Sequence, residues 1–235
     1  MKLNDNAKIW VERVADTFPI LFIDDFYADP MAVRDFALSL PFDGMAALYP
    51  GRHAFLNDMA GLDEERRAEI SEACYYVAGL LTLAGSPPVD GALLRTDFSL
   101  ITTPGRMLVA GQKHPHIDPT PILAVLYLNP ENLGGTSFYR NRQMGNIAVV
   151  TAEESERFAQ FTQGAPTGRV CDSYDMVHAD LWEKVYEIEG RFNRLAAYPG
   201  NVFHWVECRR VPEPFDPALG RLTQRFIILD VERKA

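Results

Sequence analysis

At 235 residues and 47% hydrophobic content, the chain has enough apolar mass for one core of the size that sandwiches and barrels commonly reach as single domains. A formal net charge of -9 and a pI near 5.1 give no long-range attraction to a phosphate backbone or an anionic membrane, so neither is expected as a partner. Three scattered cysteines, Cys74, Cys171 and Cys208, exclude a disulfide framework and a C-x-x-C metal site, and no run reaches the roughly 18 apolar residues of a transmembrane helix. The expectation is a soluble, cytoplasmic protein folded as one domain over 1–235, because the start from Met1 to Trp10 also lacks the apolar core of a signal peptide.

In chain order, Pro19 to Ile23 reads as a short strand that turns at Asp24-Asp25-Phe26. Asp29 before Pro30 has the form of an N-cap followed by proline at the first helical position, and Val33, Phe36, Ala37 and Leu40 recur at helical spacing. A second helix starts at Asp63 with Ile70, Ala73, Cys74, Val77, Leu80, Leu81 and Ala84 on one stripe, and Gly85 followed by two prolines ends it.

After Pro88 the texture changes to short apolar or β-branched runs broken by turn residues. Leu93 to Thr102, Met107 to Ala110, Ile122 to Leu128 and Thr136 to Tyr139 read as strands. Ile122 to Leu128 lacks alternation, which predicts burial on both faces. Arg95 and Asp97 alternate with Leu94 and Phe98, as in a strand with one wet face.

Between about 141 and 190 the strand pattern lapses. Thr151 and Glu154 have capping-box spacing with Phe158 and Phe161 one turn apart, which predicts a helix, and Leu181 to Tyr186 reads as another. Strand texture resumes at Asn193 to Ala197, Val202 to Val206 and Arg221 to Val231. Helices in 1–90 followed by many short strands in 91–235 give an α+β class. The architecture expected is a jelly roll (double-stranded β-helix) with the N-terminal helices packed on its sheet and a helical insertion at 141–190.

The chemistry concentrates in two fragments. In His114-Pro115-His116-Ile117-Asp118, an extended backbone sends residues i and i+2 to the same side, so His116 and Asp118 present an imidazole and a carboxylate to one point. In Tyr198-Pro199-Gly200-Asn201-Val202-Phe203-His204, the Pro-Gly-Asn turn delivers a strand on which His204 shares a face with Val202 and Val206. Two histidines and one carboxylate with open positions form the facial triad of non-haem Fe(II) oxygenases. The other histidines lack such a setting: His114 reads as a loop residue or a neighbour of the ligands, His53 as a surface-loop residue with the lining of a substrate cleft as its alternative, and His178 as a side chain of the insertion with no identifiable partner. Gly134-Gly135 reads as a turn that needs glycine's freedom, not as a phosphate-binding loop.

Taken in order, Pro115-His116-Ile117-Asp118, Ala124-Val125-Leu126-Tyr127-Leu128-Asn129 and Gly134-Gly135-Thr136-Ser137-Phe138 resemble the core signature of Fe(II)/2-oxoglutarate dioxygenases of the prolyl-4-hydroxylase type. Phe22 to Phe26 and the helix after it are similar to that family's lead-in. The resemblance implies that His116, Asp118 and His204 are both the catalytic centre and the iron ligands, with 2-oxoglutarate as cosubstrate. It further implies that Tyr127 hydrogen-bonds the far carboxylate of 2-oxoglutarate, and that Arg221-Leu222-Thr223 supplies the Arg-x-Ser/Thr element whose arginine pairs with it. A guanidinium suits that task, offering a bidentate fork and staying charged when buried. The stretch from His204 to Arg221 is longer than the family's, with Pro212, Pro214 and Pro217, so Arg225, on the same strand face, is the rival anchor.

The activity so implied is hydroxylation of a C–H bond with release of succinate and carbon dioxide, on a small-molecule or peptide substrate that the residues do not specify. Asp118 argues against a halogenase, whose carboxylate position is typically vacated for halide. A jelly-roll ligand-binding or regulatory protein without turnover, and a cupin-like metalloenzyme that does not use 2-oxoglutarate, are the alternatives.

Overall fold

The computed structural model describes residues 1–45, 49–56, 61–83, 93–164 and 179–229. Its ten strands are β1 (Lys8–Val14), β2 (Phe18–Asp24), β3 (Gly51–Phe55), β4 (Leu93–Ile101), β5 (Ile122–Tyr127), β6 (Thr136–Asn141), β7 (Trp182–Ile188), β8 (Leu195–Pro199), β9 (His204–Val206) and β10 (Leu222–Leu229). Three α-helices join them: α1 (Pro30–Ser39), α2 (Glu64–Leu83) and α3 (Ala152–Gly164). A seven-stranded sheet runs in the order β1-β2-β8-β5-β10-β4-β3, and a three-stranded sheet in the order β7-β6-β9. Every pairing between these strands is antiparallel.

Strand periodicity divides the core in two. On β5, Ile122, Ala124 and Leu126 join Leu21 and Ile23 of β2, Phe226 of β10, and Val33, Ala37, Ile70, Ala73, Cys74 and Val77 of α1 and α2. Leu123, Val125 and Tyr127 point the other way, meeting Phe18, Ile20 and Phe22 of β2, Tyr198 of β8 and Phe138 of the small sheet. All six residues of β5 are buried, as its unbroken apolar run predicts, because helices cover one face of the large sheet and the small sheet covers the other.

The local signals act as their chemistry requires. The Asp29 carboxylate accepts from the Ala32 amide to cap α1, which has Pro30 at its first position. At α3 the box closes reciprocally: the Glu154 amide donates to Thr151 Oγ1 (3.2 Å) and the Thr151 amide donates to Glu154 Oε2 (3.0 Å). On α2, Ile70, Ala73, Cys74, Val77 and Leu80 of the predicted stripe pack into the core against the sheet, while the Leu81 side chain, Ala84 and Gly85 lie outside what is described.

Four sequence-based expectations need correction. Leu181 to Tyr186 is not helical: 179–181 is a 3-10 turn, and β7 pairs with β6 from Thr136↔Ile188 to Asn141↔Trp182. The helical insertion therefore ends before β7. Met107 to Ala110 is not a strand but the link between two short 3-10 turns, Gly105–Met107 and Ala110–Gln112. His53 lies on β3, fully buried, and not in a surface loop. Asp97 on β4 is buried too, so the expected wet face holds at Arg95, which is exposed, but not at Asp97. β1 and β3 carry no clear apolar alternation and escape sequence reasoning altogether. His178, Cys171 and the last two residues of the predicted final strand, Asp230 and Val231, lie outside the described residues.

Candidate metal centre

His116, Asp118 and His204 each turn one ligand-capable atom toward a common point, with these atoms all within 4.8 Å of one another. The segment holding His116 and Asp118 is not a regular strand. It is held extended by single backbone contacts: His116 and His204 exchange two hydrogen bonds of 3.0 Å, and the Asp118 amide donates to the Gly200 carbonyl at 2.8 Å. Both fragments singled out in the sequence thus pair directly with each other, which places His116 beside His204 and Asp118 beside the Pro-Gly turn.

The hydrogen bonds around the rings fit metal ligation. His204 Nδ1 lies 2.8 Å from the Val202 carbonyl, an acceptor only, so this nitrogen carries the proton and Nε2 presents its lone pair. That Nε2 sits 3.4 Å from Asp118 Oδ2. Burial pushes the His116 pKa down to about 4, aided by the neighbouring His204, and leaves a neutral imidazole at physiological pH. Burial opposes ionisation of Asp118, but His204, His116 and Arg225 outweigh it and hold the carboxyl pKa at about 2. Two imidazoles and one carboxylate form a partly open N/O donor set suited to a divalent transition metal.

These residues line a cavity of about 480 Å³, within the range of small-molecule sites. Its walls are largely apolar, built by Leu123, Val125, Pro50, Trp205 and Val206, and Arg221, Thr223 and Arg225 face it from β10 and the residue before it. The two arginines have different settings. Arg221 donates from Nε to the Gly134 carbonyl (3.0 Å) and from Nη2 to the Gly135 carbonyl (2.9 Å), with its guanidinium 5.5 Å from the Tyr127 ring centre. It has no carboxylate partner among the described residues, although only 4% of its surface is exposed. Arg225 is paired: its Nε and Nη2 donate to the two oxygens of Asp97 at 3.1 and 2.9 Å.

The glycines that hold Arg221 are there of necessity. Gly134 has φ +110°, and a Cβ on it would lie 2.0 Å from the Glu207 carbonyl oxygen; one on Gly135 would lie 1.7 Å from that of Ile188. Tyr127 is close to Arg221 but off the cavity wall. Its hydroxyl is 2.9 Å from Thr136 Oγ1, and Thr136 and Tyr198 take the wall position instead.

Sequence reasoning missed a buried polar cluster behind Arg225. His53 Nδ1 lies 3.0 Å from Asp97 Oδ1, 2.8 Å from Ser99 Oγ and 3.2 Å from Arg225 Nη2. Tyr49, a cavity residue, sets its ring centroid 4.5 Å from that of His53, the two planes tilted by 44°. The Tyr49 hydroxyl and His53 Nε2 are buried without a hydrogen-bond partner among the described residues. Burial, opposed by Arg221 and Arg225, raises the Tyr49 pKa to about 12. Only the polar residues Asp97 and Ser99 at alternate positions hinted at this cluster.

Residues 5–228 match a family described as "Family of unknown function (DUF6445)". No curated protein matches the chain. Among solved structures, similar folds include the non-heme alpha ketoglutarate dependent epimerase SnoN from nogalamycin biosynthesis, at TM-score 0.49 and 14% identity over 93% of this chain and 79% of that one. A prolyl hydroxylase from Trichoplax adhaerens, solved with a hypoxia inducible factor peptide, gives 0.46 and 11% over 90% and 83%. The carbocyclase SnoK, from the same pathway as SnoN, gives 0.45 and 13% over 90% and 79%.

Proposed function

The chain belongs to the DUF6445 family, and we propose that it is a non-haem Fe(II)- and 2-oxoglutarate-dependent oxygenase of the prolyl-4-hydroxylase type, with its two sheets forming a double-stranded β-helix. One observation carries the reading: a two-histidine, one-carboxylate cluster shares its cavity with a buried arginine that lacks an anionic partner among the described residues. His116, Asp118 and His204 would hold the iron, which supplies the activation of dioxygen coupled to decarboxylation of the 2-oxo acid. An uncompensated buried cation is costly, and a dicarboxylate that chelates the metal at one end would compensate Arg221 at the other.

Each residue has a defined task. The Val202 carbonyl keeps His204 in the tautomer that binds, and Asp118 stays anionic across the physiological range. The Gly134 and Gly135 carbonyls fix the guanidinium plane of Arg221, so its remaining edge is oriented before the cosubstrate arrives. Thr223, two residues on, adds a hydroxyl to the same wall. Tyr127 supports Arg221 from beneath through its ring, a positioning role that replaces the direct hydrogen bond implied by resemblance. The apolar walls exclude water from the bound substrate carbon. The reaction so assigned is hydroxylation of a C–H bond, with succinate and carbon dioxide released.

The test is anaerobic addition of 2-oxoglutarate to iron-loaded protein, followed by admission of air. A weak visible charge-transfer band and then succinate formation are the expected outcome. Iron-replete protein that shows neither the band nor calorimetric binding of 2-oxoglutarate defeats the assignment.

A further inference from the structure

We propose that Arg225 anchors a carboxylate of the primary substrate, which is therefore a small carboxylic acid with an apolar body; the inference rests on the oxygenase reading of the same cavity. Arg221, Thr223 and Arg225 alternate along one face of the last strand, so the backbone positions of the two arginines are roughly 13 Å apart. Their guanidinium groups are built into different walls. Arg221 is held under Gly134 and Gly135, whereas Arg225 is held against Asp97 of β4 and His53 of β3. One dicarboxylate that joins the metal to Arg221 leaves Arg225 available to a second ligand.

Arg225 is prepared for that ligand. Asp97 takes the fork formed by Nε and Nη2, while Nη1 makes no hydrogen bond among the described residues, and 18% of the side chain is exposed, toward the cavity. Burial works against the Arg225 charge, but Asp97 outweighs it and the guanidinium stays protonated. Asp97 is in turn fixed by His53 and Ser99, so three buried polar residues orient one cavity-facing cation. A device of this kind is weak evidence of a stabilising role, since buried ion pairs are often replaceable by apolar residues without loss. It also leaves the Tyr49 hydroxyl and His53 Nε2 unpaired. A planar cation whose Nη1 is unbonded among the described residues, set in walls of Leu123, Val125, Pro50 and Trp205, matches a planar anion attached to a hydrocarbon.

Hexanoate and hexanamide are the probes, differing only in the head group. Each is titrated by calorimetry into protein loaded with Zn(II) and 2-oxoglutarate, and separately into metal-free protein. Hexanoate should bind at least tenfold tighter than hexanamide. That preference should vanish in the double variant Asp97→Asn/Arg225→Gln, which removes both charges and strands neither, and Arg225→Lys should keep part of it. In the double variant the loss of hexanoate affinity should exceed any loss of 2-oxoglutarate affinity by at least tenfold. Equal binding of the two probes, no saturable hexanoate binding, or a larger loss for 2-oxoglutarate overturns the proposal. If the metal-free protein shows the Arg225-dependent preference but 2-oxoglutarate never binds, the oxygenase reading fails and the carboxylate site stands.

Discussion

The two faces of the large sheet treat polar side chains in opposite ways, and β10 shows both at neighbouring residues. Toward the helices, Gln224 closes a chain: Tyr27 Oη donates to Gln224 Oε1 (2.9 Å) and Gln224 Nε2 donates to Thr96 Oγ1 (3.2 Å), beside the apolar Leu222 and Phe226. Toward the small sheet, Arg221 and Arg225 keep guanidinium edges on a cavity, and nearby polar atoms of Tyr49 and His53 are left unpaired. Buried polar groups cost about 1–3 kcal/mol each when unpaired. The helix-covered face therefore behaves as a structural core, whereas the cavity face holds buried polar groups that have no partner among the described residues, as the proposed binding role requires.

The sharpest separation should come from Phe226→Ala. Phe226 is fully buried and packs against Phe26, so its truncation should cost about 3–5 kcal/mol by chemical denaturation while 2-oxoglutarate affinity of the folded fraction is retained. A loss of affinity larger than the loss of stability would mean that the faces are coupled. The reciprocal change is Asp118→Ala, expected to lower Fe(II) affinity by more than about 100-fold, since even outer-shell partners of metal ligands are worth 10- to 100-fold. Metal-free thermal unfolding should stay within a few degrees of wild type. Stoichiometric iron at wild-type affinity would remove Asp118 from the ligand set.

Next in size is Arg221→Leu, expected to weaken 2-oxoglutarate more than about tenfold with iron content unchanged, because charge-assisted hydrogen bonds contribute roughly 1.5–3 kcal/mol. Should Arg225→Leu do this and Arg221→Leu not, the two anchors exchange roles. The smallest effect is one of pH. His116 titrates near 6.5 when unfolded and about 4 when folded, so the unfolded chain binds more protons between those values. Metal-free stability should therefore be fully present above about pH 6.5 and decline toward pH 4, by a few degrees of Tm that disappear in His116→Gln.

How much of this was legible in the sequence follows the same division. The helix-covered face announces itself, because Asp29-Pro30 and the spacing of Val33, Ala37, Ile70 and Val77 are local signals that packing reinforces. The clustering of His116, Asp118 and His204 was legible as well, since these residues come from two short fragments that pair directly. The opposite wall was not. Asp97 and His53 are polar residues on strands, which reads as solvent exposure until β3, β4 and β10 pair and bring Arg225 over them. At Leu181 to Tyr186, the apolar spacing of Leu181, Trp182, Val185 and Tyr186 imitates a helix. The open edge of β6 overrides it by offering a long partner, with a register shift between Phe138 and Tyr139 absorbing the mismatch.

The backbone exchange between His116 and His204 bears on how the proposed centre would meet its ion. Two imidazoles from distant parts of the chain are spaced by a pair of main-chain hydrogen bonds, with ring centroids 4.7 Å apart, so the entropy of gathering them is lost once, during folding. Loading is then a local capture event rather than a rearrangement. Chelation and refilling should be cycles that the polypeptide survives, and the amide protons of His116 and His204 should exchange slowly with solvent whether or not metal is bound.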